Sequence, residues 1–233
     1  MVEQTIAKLD FSQIVLAIGA LGTAAYGLVD ATKGFGGGIS NRGFGDIKKV
    51  VSKFIPLDST AKAAGSALAL PSVLSTLRAN WLNGMAMGDQ KSIAKALIKL
   101  NLSRSNATAM AVAAGVDAAE LGNVADKLAT GDPLTQPETD VYGRFDLVLT
   151  AQLDEGYQRG DQRYRNSAKL LAVPIAVGLA VLGAWGVNEC PMSSTDWWRA
   201  VIGGLLATPL APVAKDLSSA IQAGAKVAQS WKS

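Results

Sequence analysis

The sequence predicts an all-α integral membrane protein with about three transmembrane helices, a central cytoplasmic helical domain and a long stalk helix that runs into the second membrane segment. Composition is the first reason. Only 18% of the 233 residues are charged and 49% are hydrophobic, whereas soluble domains usually carry about 25% charged residues. The mean hydropathy is positive, at +0.22. The second reason is that the apolar residues are concentrated in three stretches.

These stretches cover residues 11–29, 170–187 and 200–214. A spanning helix needs about 20 mainly apolar residues, so the first two qualify. The third is shorter and contains Pro209 and Pro212, and it is expected either to span or to re-enter. A soluble protein with three buried core helices is the alternative. It is disfavoured because a helix that is apolar on every face is hard to bury in a fold of 24.1 kDa.

The stretches divide the chain into four segments. Residues 1–29 are predicted to form an N-terminal transmembrane anchor, and residues 30–137 a cytoplasmic helical domain. Residues 138–188 should form an amphipathic stalk helix that continues into a transmembrane helix, because Phe145, Leu149, Leu153 and Tyr157 recur at every fourth position. Residues 189–233 should form an outer link, a proline-broken transmembrane or re-entrant helix, and a basic C-terminal tail.

The central domain should open with a loop and continue as short helices. Six glycines in the twelve residues Gly34–Gly45 disfavour a helix there, since each costs about 1 kcal/mol in a helix interior. A basic amphipathic helix is expected over Asp46–Ile55. Ile93, Leu97 and Leu100 fall at helical spacing and predict a core stripe. Two capping boxes are also predicted, Asp117 with Glu120 and Thr135 with Glu138.

Lysine and arginine prefer the cytoplasmic side near helix ends, so their distribution orients the chain. Basic residues follow the first apolar stretch, precede the second and follow the third. The consistent topology places the N-terminus outside, and the central domain and C-terminus inside, with the bacterial inner membrane as the expected location. The short link then lies outside with Cys190, which is free or pairs with another subunit.

Two groups of basic residues are candidate contacts. Near the membrane, the side chains expected to meet lipid headgroups are Lys48, Lys49, Lys53, Arg159, Arg163, Arg165 and Lys169. Farther along, Lys91, Lys95 and Lys99 form a stripe at four-residue spacing. This stripe is either a solvated face or a contact for acidic lipids or an acidic partner.

The third apolar stretch contains candidate assembly and pore residues. Gly203, Gly204 and Ala207 would let helices approach closely, and they are candidates for an oligomer interface. Pro209 and Pro212 free backbone carbonyls at membrane depth, so together with Thr208 they are candidates for a broken helix or a pore lining. A kink that serves packing alone is the alternative.

Composition excludes several kinds of chemistry. The chain contains no histidine and one cysteine, so His-based acid–base catalysis, Ser–His and Cys–His nucleophiles, and His- or four-Cys zinc sites are absent. The acidic residues are spread out, and no metal or cofactor is expected. A helix-turn-helix cadence in residues 105–128 carries Asp117, Glu120 and Asp126, whose negative charge argues against nucleic-acid binding.

The first functional hypothesis is therefore a non-enzymatic integral membrane protein that self-assembles into a homo-oligomeric ring, scaffold or pore, with membrane lipids as its other partners. The alternative is an accessory subunit of a larger membrane complex of respiratory, photosynthetic or secretion type. A remote third is a small lipid-acting membrane enzyme, which would need a nucleophile–base pair that the sequence does not offer.

Overall fold

A computed structural model describes residues 11–55, 68–187 and 192–230 of the chain. Within these ranges the regular elements are helical and no β-strand occurs, which confirms the predicted all-α class. The helices are numbered here in chain order: α1 Phe11–Ala31, α2 Ser40–Phe54, α3 Leu70–Leu82, α4 Met87–Leu100, α5 Ala107–Ala114, α6 Ala118–Thr130, α7 Gln136–Val187 and α8 Ser194–Ser230. A 3-10 turn, Thr32–Gly34, follows α1.

The chain separates into two compact units. The terminal unit comprises the residues up to Ile39 and those from Arg165 onward, and the central unit comprises Ser40–Tyr164. Helix α7 contributes its first part to the central unit and the remainder to the terminal unit. The four segments drawn on the sequence stay a prediction.

The central unit is built on one apolar core. The predicted stripe of α7 is confirmed, because its four residues are each at most 2% exposed. Phe145 of this stripe meets Phe54 of α2 edge to face, with ring centroids 6.1 Å apart. On α2 the buried apolar side chains are Phe44, Ile47, Val50, Val51 and Phe54. Burial of these two stripes against each other holds α2 on α7.

The glycine-rich loop is shorter than the sequence predicts. Positive φ angles occur at Gly36, Gly37 and Gly38, but α2 already begins at Ser40 and contains Gly43 and Gly45. Tertiary contact outweighs helix propensity here. A Cβ atom on Gly43 would lie 2.5 Å from the carbonyl oxygen of Gly160 on α7, so only glycine permits this approach.

Helix α4 also differs from the prediction. Its buried residues are Gln90, Ala94 and Ile98, while Leu100 is 67% exposed. Ile93 and Leu97 are partly buried at the edge of the core. The core face is rotated from the expected stripe toward the lysines, which pair with carboxylates of α7.

Each of the two predicted capping boxes forms one of its two reciprocal hydrogen bonds. The Oδ1 atom of Asp117 accepts a hydrogen bond from the backbone N–H of Glu120 at 2.8 Å. The Oε2 atom of Glu138 accepts from the N–H of Thr135 at 2.6 Å. These contacts satisfy N–H groups that the first turns of α6 and α7 leave unpaired, and so fix where the two helices start.

Two helices of the described residues are long and apolar enough to span a membrane. One runs over Gln13–Gly34, and the other is α7, whose apolar window follows the polar part as one continuous helix. Only 22% and 17% of the residues in the two apolar windows are buried, unlike a core helix of a soluble protein. Helix α8 does not meet these criteria, so the structure does not confirm three spans. Helix α8 also continues through Pro209 and Pro212 instead of breaking there.

Candidate functional site

The outward side of α8 carries a ridge of large apolar side chains. These residues are spaced so that they share one face of the helix, which extends for about 22 Å at 1.5 Å per residue. Each of the large apolar side chains is between 45% and 67% exposed. The outer ridge comprises Trp198, Ile202, Leu205, Leu206 and Val213. An apolar face of this length is typical of a surface covered by lipid or protein.

The opposite side of α8 packs inside the terminal unit through small residues. A Cβ atom on Gly22 of α1 would lie 2.1 Å from the carbonyl oxygen of Ala207, so these two backbones nearly touch. A Cβ atom on Gly204 would lie 2.5 Å from Cα of Val177 on α7. Ala207 and Ala211 are buried on the same side. Small residues therefore hold α8 against both α1 and α7.

Gly203 differs from its neighbour. No atom of the described chain lies within 4 Å of a Cβ atom built there. Of the three predicted packing residues, Gly204 and Ala207 are thus occupied by contacts within the chain, and Gly203 has free space beside it. Their role at an interface between copies stays a prediction.

The residues predicted to line a pore differ in their exposure. Thr208 is only 8% exposed, and its hydroxyl has no hydrogen-bond partner among the described residues. Pro209 and Pro212 are exposed. Because proline has no N–H, the carbonyls of Leu205 and Thr208 lose their usual helical donors. A pore lining stays a prediction.

The predicted headgroup contacts are distributed over both units. On α2, Lys48, Lys49 and Lys53 are exposed, and none of them pairs with a carboxylate of the described residues. No acidic residue accompanies these lysines on the exposed side of the helix, since Asp46 is buried. This surface is therefore positively charged.

The four residues of α7 predicted to contact headgroups, Arg159, Arg163, Arg165 and Lys169, are also exposed. Arg159 pairs with Glu155 one turn earlier at 2.7 Å. The Nε atom of Arg163 lies 3.1 Å from Oδ2 of Asp46, an ion-pair contact without hydrogen-bond geometry. Arg165 and Lys169 belong to the terminal unit. Their contact with lipid stays a prediction, and Cys190 lies outside the described residues.

The lysine stripe of α4 meets a matching row of residues on α7. Lys91 pairs with Asp154. Lys95 and Lys99 both pair with Asp146, whose oxygens lie 2.6 and 2.9 Å from the two Nζ atoms. Three lysines and two aspartates leave one net positive charge, 3 − 2 = 1. The lysines of the stripe thus form ion pairs within the chain, and their contact with an acidic partner stays a prediction.

The ion pairs shift two pKa values. Burial by itself raises the pKa of Asp146, but hydrogen bonds from Lys95 and Lys99 outweigh it, so the pKa is lowered. Burial likewise lowers the pKa of Lys99, but Asp146 and Tyr142 outweigh it, so the pKa is raised. The Nζ atom of Lys99 also lies 4.8 Å from the ring centre of Tyr142, a cation–π contact. The charged forms of both groups are favoured.

A groove of about 770 Å³ lies beside these lysines, between α4 and α6. We refer to it as the α4–α6 groove. Leu100 and Leu128 line it and are 67% and 49% exposed, and Ala125 is buried beneath them. Lys95 and Lys99 also line it. The groove therefore combines apolar walls with a cationic margin.

The sequence reasoning missed three residues of this surface. Asp146 and Tyr142 were not singled out, and Leu100 was assigned to the core. The signal for the first two was present, because Tyr142, Asp146, Thr150 and Asp154 recur at the same four-residue spacing as the lysines. The exposure of Leu100 depends on how α4 is rotated, which no pattern within α4 determines.

Within the described ranges, no three residues of the His, Cys, Asp and Glu types are grouped so as to hold a metal ion. Comparison of the chain with protein-family models, curated proteins and solved structures finds no match.

Proposed function

We propose that the chain is a non-enzymatic integral membrane protein whose terminal unit assembles with further copies into a ring or scaffold, while its central unit is held on the cytoplasmic side. The outer ridge of α8 is the observation that supports this most directly. Five large apolar side chains on one face of α8 would be exposed to water in a soluble monomer. Lipid or a neighbouring subunit would cover them.

The same ridge supports a membrane location for α8. The helix is 37 residues long, which exceeds the length that a bilayer requires. Its prolines and polar ends lower its average hydropathy. On our proposal α8 crosses the membrane beside α1 and the apolar part of α7, with its inward face fixed by Gly22 and Gly204.

The free space at Gly203 supports assembly. Small residues mediate association of membrane helices because they let backbones approach closely. Gly204 and Gly22 already serve this purpose inside the chain, whereas Gly203, three residues before Leu206 of the ridge, has open space beside it. A helix of a second copy would find both an apolar ridge and a backbone that it can approach.

Native mass spectrometry of the detergent-extracted particle tests the proposal with two variants of adjacent residues. Gly203→Leu places a side chain in open space, so the subunit should fold, but it should block a neighbouring helix and lower the particle mass. Gly204→Leu forces a side chain into Val177 and should destabilise the subunit itself. Gly88→Ala on α4, where the glycine also has open space, is the control expected to change neither property.

A particle mass that is two or more whole multiples of 24.1 kDa supports self-assembly. A single-chain mass for the unmodified protein, or an unchanged mass in Gly203→Leu, contradicts it. A mass that requires other chains would instead indicate an accessory subunit of a larger complex.

A further inference from the structure

We propose that the α4–α6 groove binds a long-chain fatty acid anion, with the acyl chain between Leu100 and Leu128 and the carboxylate at Lys95 and Lys99. This site belongs to the central unit, and it does not depend on whether the terminal unit assembles. It would give the protein a ligand in addition to its structural role.

The dimensions and lining of the groove fit an acyl chain. Its volume of about 770 Å³ is within the range of about 300–1,000 Å³ that is typical of small-molecule sites. Leu100 and Leu128 would bury their exposed surface against the chain, and each buried methylene is worth about 0.8 kcal/mol. The small side chains of Ala96, Ala125 and Ala129 leave the space between the two leucines open.

The charge at the margin fits an anionic headgroup. Lys95 and Lys99 share one carboxylate, Asp146, so the pair of lysines keeps one net positive charge, 2 − 1 = 1. Each Nζ has three N–H donors, and the contact with Asp146 does not use all of them. A fatty acid carboxylate would neutralise the remaining charge, whereas an uncharged lipid would not.

Two other exposed apolar side chains of the central unit lie outside the groove. Val112 and Leu147 are 78% and 71% exposed, yet neither lines the groove. Isolated apolar side chains of this kind are ordinary features of protein surfaces. They provide matched controls, because they offer a similar exposed side chain outside the proposed site.

Photocrosslinking of the full-length protein in lipid nanodiscs tests the proposal. The probe is a palmitic acid analogue with a diazirine on its chain, compared with the same chain ending in an alcohol. We expect the acid to label peptides of α4 and α6 more strongly than the alcohol does. Leu128→Glu should reduce this labelling at least about tenfold, while Leu147→Glu should leave it unchanged.

Two further variants separate binding from folding. Ala129→Trp fills the groove from an exposed position and should also reduce labelling without lowering the melting temperature. Replacing both Lys95 and Lys99 by Met should remove the preference for the acid over the alcohol. Equal labelling in Leu128→Glu and Leu147→Glu, or equal labelling by acid and alcohol, overturns the proposal. Crosslinking there of an acidic amphipathic peptide but not of the acid also overturns it.

Discussion

Glycine has opposite roles at neighbouring positions of α2. At Gly43 the helix backbone touches Gly160 of α7, and a Cβ atom on Gly160 would in turn lie 2.7 Å from the carbonyl oxygen of Gly43. Gly45, two residues on, has no atom within 4 Å of its Cβ position. The first glycine permits a helix crossing, whereas the second only adds conformational entropy to the unfolded chain.

This contrast predicts that alanine at the two positions changes stability in opposite directions. Gly43→Ala should destabilise the central unit by about 1–3 kcal/mol, because α2 must move away from α7 to avoid the clash. Gly45→Ala should stabilise α2 by about 0.5–1 kcal/mol. Thermal unfolding of the two variants measures both effects. A loss of stability of similar size in both would contradict the proposed role of the close contact.

Glu138 should make stability depend on pH. Hydrogen bonds from Lys127, at 2.7 Å, and from the N–H of Thr135 lower the pKa of Glu138 from its ordinary value of 4.5 to about 2. Because the folded pKa is the lower one, the stabilisation is present above about pH 4.5 and is lost as the pH falls toward 2.

We therefore expect Glu138→Gln to be less stable than the unmodified protein at pH 7, and the difference to shrink between pH 4.5 and pH 2. Urea unfolding across this pH range measures the difference. Asp140→Asn, at an exposed carboxylate of the same helix, is the control for loss of one negative charge. If the difference in unfolding free energy between Glu138→Gln and the unmodified protein stays constant down to pH 2, Glu138 is not the group that makes stability depend on pH.

At the scale of the helices, the sequence predicted where helices occur better than it predicted which face of each helix is buried. The α7 stripe and the N-cap contacts of Asp117 and Glu138 could be predicted because they depend on spacing within a few residues. The helical start at Ser40 could not, since it depends on Gly160, which is 120 residues further along the chain. The exposure of Leu100 likewise depends on tertiary packing, which buries Ala94 and Ile98 of α4 and leaves Leu100 outside the core.

The contact of α1 with α8 gives a prediction at the same scale. Gly22→Ala should push the two helices apart, because the new methyl group would meet the carbonyl of Ala207 at 2.1 Å. Gly27→Ala in the same helix points into open space and should be tolerated. Heating the detergent-solubilised protein and measuring the fraction that stays soluble compares the two. Equal melting temperatures would mean that α1 and α8 are not held by this contact.

For the molecule as a whole, the property to measure is the topology, that is, which side of the membrane each part of the chain occupies. The two candidate spans and the distribution of basic residues both bear on it. Two helices that are long and apolar enough to cross a bilayer can be recognised from composition alone. Their direction depends on the positive-inside preference, which acts through the charges of the loops. Lys48, Lys49 and Lys53, exposed on α2, and Arg165 and Lys169, exposed on α7, are among the basic residues that lie close to the spans in the sequence.

We expect the central unit to be cytoplasmic and the link before α8 to lie outside. Ser92 on α4 and Ser194 at the start of α8 are both exposed, so a cysteine at either position should react where the reagent can reach it. In a Cys190→Ser background, a maleimide that cannot cross membranes should label Ser194→Cys but not Ser92→Cys in intact cells. Permeabilised cells should label both, which controls for reactivity. Labelling of Ser92→Cys in intact cells would reverse the orientation, and the basic surface of α2 would then face the outer leaflet.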